Sequence, residues 1–267
     1  MWPRSNSVSM TLKVPPRGCD KEAALIQIGV LGARGRMGQS VVRLIREEFT
    51  RVAEVAAQVN RGDSLDSLFQ TDVVIDFSNP VFFKKLAEEM LLKSKKTAMR
   101  LPALVVGSTG WLPEDEKLLV ELGSKTPVLQ ASNFSTGVSA LALILQQSSA
   151  LLERLGYTPV LVETHHRHKL DAPSGTALAL QKAIRATEPT SIQTHSIRAG
   201  EVIGDHEVTF YGASDQITLK HHAQDRSIFA RGAIQAALWL AQNRAQKVPH
   251  GLLGMEQYFH ALIRKDS

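Results

Sequence analysis

Leu25-Ile26-Gln27-Ile28-Gly29-Val30-Leu31-Gly32-Ala33-Arg34-Gly35-Arg36-Met37-Gly38 decides the fold. A short, nearly continuous apolar run reads as a strand. It enters a glycine-rich turn directly, and Val41, Val42, Leu44 and Ile45 then recur at helical spacing. Strand, glycine turn and helix form the phosphate-binding opening of a dinucleotide fold. Gly32 permits the tight turn, Gly35 lets a pyrophosphate approach, and Gly38 allows the helix to lie close to the sheet. The spacing is G-x-x-G-x-x-G, with Arg34 where the usual pattern has its second glycine. Glycine spacing alone is weak evidence; its place at the head of a β-α-β pattern gives it weight.

Further strands follow at α/β intervals. Val52 to Val59 ends at Asn60-Arg61-Gly62, where an NAD site usually carries an acid for the ribose hydroxyls. An amide followed by a guanidinium suits a 2′-phosphate, so NADPH is favoured over NADH. The blander reading makes Arg61 a surface residue after a strand. Asp72 to Ser78 is a third strand, and Pro80 opens a helix carrying Leu86, Ala87, Met90 and Leu91. Leu104 to Gly110 is a fourth and Pro127 to Phe134 a fifth. Ligands in open α/β sheets sit beyond the carboxyl ends of the strands, which puts Phe77 and Gly107 to Gly110 on the nicotinamide side. Unbroken apolar strands alternating with helices argue for a parallel sheet.

After Phe134 a long helix (Val138, Leu141, Ala142, Leu145) leads to Val160-Leu161-Val162, the end of a buried strand. Glu163-Thr164-His165-His166-Arg167-His168-Lys169-Leu170-Asp171-Ala172-Pro173-Ser174-Gly175-Thr176-Ala177 follows. Ala177, Leu178, Leu180, Ala183 and Ile184 have helical spacing, and Ser174 stands where an N-cap belongs. The helix start offers unpaired N–H groups at Gly175 and Thr176, with His166, Arg167 and Lys169 beside them. The pattern reads as an anion site with proton donors close by. A solvated basic face is the plainer alternative, and three histidines raise a metal site. In a strand His165 and His166 point to opposite faces while His166 and His168 share one, and no Cys or His-rich partner segment suggests a third ligand, so no metal is expected. Beyond residue 190, His206 to Tyr211 and Gln216 to Lys220 alternate in character, as in an antiparallel sheet with one open face. Arg226 to Asn243 returns to helix, and Leu252, Leu253, Met255 and Tyr258 close the chain.

The chain has 267 residues, enough for one large or two modest domains, with the 43% hydrophobic content of an ordinary globular protein. A net charge of +5 raises nucleic acid as a partner, but the basic residues are dispersed and lack aromatic interleaving. An anionic small molecule explains the excess equally well. Single Cys19 excludes an internal disulfide and suits a reducing, cytoplasmic setting. No apolar run reaches the length of a membrane span. Residues 1–24 lack an apolar core for a secretory signal and read as a disordered tail.

With these residues assembled, the chain resembles the dihydrodipicolinate reductase (4-hydroxy-tetrahydrodipicolinate reductase) family of lysine and diaminopimelate biosynthesis. The likeness runs from about Ile26 to Tyr258. It rests on the glycine turn at 32–38, Asp-Phe-Ser at 76–78, Gly-Ser-Thr-Gly at 107–110 and Ser-Asn-Phe-Ser at 132–135. The long motif at 163–177 and Arg-Ala-Gly-Glu-Val-Ile-Gly-Asp-His-Glu-Val at 198–208 complete it. The resemblance implies a Rossmann-type parallel-sheet domain (25–133 with 241–267) and an α+β domain with a mixed or antiparallel open sheet (134–240). The second would bind substrate and build a homotetramer. It further implies hydride transfer from NADPH or NADH to a small cyclic dicarboxylate. His165 and Lys169 match the family's proton-handling positions, and His166, Gly175 and Thr176 its carboxylate-binding ones; Ser174 joins them as the cap. Gly32, Ala33, Arg34, Gly35, Arg36 and Met37 match cofactor-contacting positions, as do Gly107, Ser108, Thr109, Ala131, Ser132, Asn133 and Phe134. Asn60 replaces an acid that some members carry, the loop from Arg61 to Asp72 is short, and the extension before Leu25 has no counterpart. Rival readings are another NAD(P)-dependent amino-acid dehydrogenase, a metal hydrolase and a nucleotide-sensing or nucleic-acid-binding protein.

Overall fold

The computed structural model describes residues 24–96, 100–184, 192–243 and 251–264. The expected disordered tail lies outside the described residues up to position 23, as does Cys19. Strands β1 (Ile26–Leu31), β2 (Ala53–Val59), β3 (Val73–Asp76), β4 (Ala103–Val106) and β5 (Val128–Gln130) are those read from the sequence. With β10 (Leu252–Leu253) they form one parallel sheet in the order β2-β1-β3-β4-β5-β10. The strand order reverses between β1 and β3, where ligands of such sheets bind.

The unbroken apolar runs have a direct cause. Ile28 and Val30 of β1, Val73 and Ile75 of β3, and Ala103 and Val105 of β4 face one core. Leu31, Val74, Leu104 and Val106 face the other, because successive side chains of a strand point to opposite faces. Helix α1 (Arg36–Glu48) covers the first face, and α2 (Pro80–Lys96) and α3 (Pro113–Gly123) cover the second. A short 3-10 helix, Asp66–Gln70, fills the loop after β2 with Leu68 and Phe69.

The second sheet has the order β7-β6-β8-β9, from β6 (Thr158–His165), β7 (Gln193–Arg198), β8 (Asp205–Tyr211) and β9 (Gln216–His222). β8 runs antiparallel to β6 and β9, whereas β7 runs parallel to β6, so the sheet is mixed. Helices α4 (Thr136–Arg154) and α5 (Gly175–Ala183) cover one face through Leu141, Leu145, Leu180, Leu161, Val208 and Phe210.

One boundary differs from expectation. Helix α6 (Ser227–Asn243), which the expected boundary at 240 puts mostly in the second domain, lies in the first core against α1, β1, β3 and β4. Arg231 and Glu48 form a two-pronged ion pair that ties it to α1. Its small residues permit the contact: a Cβ on Gly232 would lie 1.8 Å from the Phe134 carbonyl oxygen. The chain therefore returns to the first lobe before Ser227, and α7 (Met255–Arg264) completes that core with Met255 and Tyr258.

Candidate active site

The glycine turn has the geometry its composition demands. Gly32 has φ 82°, and a Cβ on Gly38 would lie 2.2 Å from the Gly32 carbonyl oxygen. Helix α1 starts after Gly35 with no side chain capping it, so its first N–H groups are free to meet an anion. Exposed Arg34 and Arg36 flank that end. These residues fit a dinucleotide phosphate. All the expected cofactor residues, 32–37, 60–61, 77, 107–109 and 131–134, stand just beyond the carboxyl ends of β1 to β5.

At the end of β2, Asn60 Oδ1 accepts from the Arg34 N–H at 2.7 Å and so staples the glycine turn. Its own N–H donates to Asp63 Oδ2 at 2.8 Å, in a turn where Gly62 has φ 98°. Arg61 is exposed. A carboxylate therefore stands at this strand end after all, supplied three residues later than the sequence pattern requires.

Asp76, which enters the sequence reading only as part of the Asp-Phe-Ser motif and with no role in the site, joins the exits of β3 and β4. It accepts from the Ser78 N–H at 2.9 Å, the Ser78 hydroxyl at 2.5 Å and the Ser108 hydroxyl at 2.6 Å. Burial pushes its carboxyl up to about 6 against those hydrogen bonds. Beside it Phe77 meets Phe134 edge-on at 5.8 Å, and a Cβ on Gly107 would strike the Phe77 ring at 2.3 Å. A cavity of about 480 Å³ opens here, walled by Ser108, Thr109, Trp111, Ala131, Ser132, Asn133 and Thr176. Asn133 Nδ2 donates to Thr176 Oγ1 at 2.8 Å, which links the cofactor side to the tip of α5.

Ser174 caps α5 as its position suggests, accepting from the Ala177 N–H at 3.1 Å. A Cβ on Gly175 would meet nothing within 4 Å, so that side of the helix tip has room, while the Asp171 carboxylate accepts a hydrogen bond from the Gly175 N–H. Strand β6 delivers Glu163 and His165 to the same buried face. Glu163 accepts from His165 Nδ1 with one oxygen; with the other it accepts from Arg198 Nη2 at 2.8 Å and the Ser174 N–H at 3.3 Å. Burial raises the Glu163 carboxyl, but hydrogen bonds from Arg198, Ser196 and His165 outweigh it and hold the group at about 2. Burial also lowers His165, with Lys169 and Arg198 acting in the same direction against Glu163. His206 stands 5.2 Å from His165, ring to ring, and is lowered to about 4 by burial. Lys169 pairs with Asp171 at 2.8 Å.

His165, His166, Lys169 and Gly175 do not wall the cavity; from this segment only Thr176 does. Nor do the three histidines of the motif converge. Among the described residues the ligand-type atoms that do are those of Glu163, His165 and His206. The Arg198 guanidinium on the same carboxylate makes that spot a poor home for a cation. Strand β6 ends at His165, which sends His166 into the following loop and exposes Arg167 and His168.

A parallel sheet with an uncapped glycine turn, facing a second lobe that offers an open helix tip, defines a two-lobed dinucleotide-binding oxidoreductase. Family models described as "Dihydrodipicolinate reductase, N-terminus" and "Dihydrodipicolinate reductase, C-terminus" match residues 26–134 and 137–259. The 4-hydroxy-tetrahydrodipicolinate reductase of Rickettsia rickettsii (strain Sheila Smith) is 34% identical over 253 residues, covering 88% of this chain and 99% of its own. That of Zymomonas mobilis is 36% identical over 245 residues, covering 82% and 93%. Among solved structures, dipicolinate-bound dihydrodipicolinate reductase from Paenisporosarcina sp. TG-14 superposes with a TM-score of 0.65. At 21% identity, with 86% of this chain and 98% of that one covered, this likeness speaks for the fold.

The chain belongs to the dihydrodipicolinate reductase family. It is an NAD(P)H-dependent oxidoreductase that reduces 4-hydroxy-tetrahydrodipicolinate in lysine and diaminopimelate biosynthesis. The amino-acid dehydrogenase, hydrolase and nucleic-acid readings give way to it.

Proposed function

We propose that the α5 tip (Ser174, Gly175, Thr176) and His166 hold the two carboxylates of the substrate, while His165 and Lys169 manage its protons. The observation that carries this reading is the open tip of α5. The positive dipole end of the helix faces space that a Cβ at Gly175 would not fill. A substrate carboxylate would replace the Asp171 carboxylate, which accepts from the Gly175 N–H and pairs with Lys169. Residues 32–37, 60–61, 77, 107–109 and 131–134 would hold a reduced nicotinamide, which would supply the hydride. Accepting it builds negative charge on the conjugated ring of the substrate. The Lys169 ammonium stabilises that charge and delivers a proton, and His165, neutral at pH 7 because burial lowers it, takes part in proton exchange. Because His165 and Lys169 lie off the cavity wall, the reading requires the second lobe to close onto the first about the Asn133–Thr176 contact.

NADPH is the preferred cofactor in this proposal, through Arg61, with NADH also used. The active form is a cytoplasmic homotetramer built through the open face of the second sheet. Val160, Val162, Ile197 and Tyr211 share that face, and the last two are about half exposed. Among the described residues no helix is long and apolar enough to cross a membrane.

The test couples the preceding synthase to the enzyme and follows oxidation of both reduced nicotinamides. His165→Ala and Lys169→Ala should each lower kcat by about 10²- to 10⁴-fold, with the dissociation constant for NADPH little changed. Loss of cofactor affinity in either variant would contradict the assignment. Sedimentation should give a tetramer; a monomer at assay concentration would remove the assembly proposal.

A further inference from the structure

We propose that Glu163 is a positioning residue of the reaction: its buried carboxylate accepts a hydrogen bond from the Nδ1–H of His165, leaving Nε2 as the ring atom that exchanges a proton with substrate. The inference deepens the reading of His165 given above and rests on it.

The carboxylate is fully buried and both of its oxygens are engaged. A carboxylate accepts only, so the hydrogen shared with Nδ1 belongs to the ring. That assignment fixes the tautomer, since a neutral imidazole carries one N–H. The carboxylate itself has no freedom to turn. Arg198, at the end of β7, holds one oxygen, and the N–H of Ser174, the cap of α5, meets the same atom. Nη2 of Arg198 also donates to the Asp171 carbonyl at 2.6 Å, which anchors the loop carrying Lys169. One side chain thus sets the ring of His165, the tip of α5 and, through Arg198, the lysine loop.

The room for Nε2 is also built in. Gly204, just before β8, would place a Cβ 3.1 Å from that atom. The charged or titratable groups acting on His165 are Glu163 on its own strand, Arg198 on β7, Lys169 on the following loop and His206 on β8. Of these, Glu163 alone favours the protonated ring. Its removal leaves a weaker base with no fixed tautomer.

Glu163→Gln keeps the size of the side chain while removing its charge, and its amide can donate to Nδ1 and force the opposite tautomer. The expected result is a fall in kcat of about 10²-fold or more, with KM and the NADPH dissociation constant within a few-fold of the parent. The acidic limb of the kcat profile should move to lower pH. Glu163→Asp, which restores the charge, should recover part of kcat and of the profile. A Glu163→Gln enzyme with the parent's profile and turnover would overturn the proposal. Nitrogen-15 NMR of the histidines in the unaltered enzyme gives an answer independent of any variant. An Nδ1–H tautomer at His165 supports the proposal and an Nε2–H tautomer overturns it. His165→Ala separates the two levels: if it abolishes turnover while Glu163→Gln does not, this inference fails alone. If it leaves turnover intact, both fail.

Discussion

Asp76 is a buried carboxyl that the fold holds against its own ionisation. Its value rises from an ordinary 3.8 to about 6, so the folded chain binds this proton more tightly than the unfolded one. The stabilising contribution is complete below 3.8 and is lost as pH rises through 6. Above that, keeping the charge buried costs about 3 kcal/mol. Asp76→Asn removes the charge and keeps the shape, so it should raise unfolding stability at pH 7.5 by about 1–3 kcal/mol. The gain should be roughly half as large at pH 5 and vanish in stronger acid. Urea unfolding at the two pH values measures it, and an equal gain at both would show that burial of charge is not the cause. In the proposed cofactor site the β2 exit sets Arg61, which would attract a 2′-phosphate, against Asp63, which would repel it. Arg61→Ala should weaken NADPH more than NADH, and Asp63→Asn should shift preference toward NADPH. Calorimetric titration of both cofactors checks this, and equal effects on both would remove the pair from the 2′-phosphate site.

In the proposed site the cap of α5 joins local structure to substrate binding, because Ser174 fixes where the positive end of the helix begins. Ser174→Ala loses the bond to Ala177 and should lower stability by about 1 kcal/mol. It should also raise KM for the substrate several-fold with NADPH affinity unchanged; an unchanged KM would detach the cap from the site. This element, the glycine turn and β1 to β5 were legible because each carries a signal that depends only on its own residues. Apolar runs without alternation report burial on both faces, and Ser-Gly before a periodic stretch reports a helix start. Other features have no such local signature. β7, Gln193-Thr194-His195-Ser196-Ile197-Arg198, lies at a sheet edge and is mostly polar, so nothing in its pattern marks a strand. α6 was read as a helix, but periodicity reports that a face is buried and not which core receives it. Arg198 reaches Glu163 from 35 residues away and Ser108 reaches Asp76 from 32, and spacing within one motif does not reveal such pairings, whereas Glu163 and His165 stand two residues apart on one strand face.

Between pH 7 and 5 the buried titratable groups of the two lobes act in opposite directions. In the second lobe His165, His206 and His221 form a row across β6, β8 and β9, with ring centroids 5.2 and 6.4 Å apart, and burial lowers all three. A histidine with a depressed value contributes stability that is present above 6.5 and is lost as pH falls toward the folded value, about 4 for His206. Protonating one ring also disfavours its neighbours, because like charges then face each other. His206 alone accounts for about 3 kcal/mol over that window. In the first lobe Asp76 has the reverse sign and gains as pH falls from 6 to 3.8. The second lobe should therefore loosen first when pH is lowered from 7 to 5. Hydrogen exchange should show early loss of protection in β6, β8 and β9 while β1, β3 and β4 stay protected. Tryptophan emission should lag behind, since Trp111 and Trp239, the described tryptophans, both belong to the first lobe. His206→Phe, which fills the same buried site without a titratable ring, should move the early loss to lower pH. Simultaneous loss of protection in both lobes would mean that the contacts of α4 with α6 and α7 couple them more tightly than the histidine row separates them.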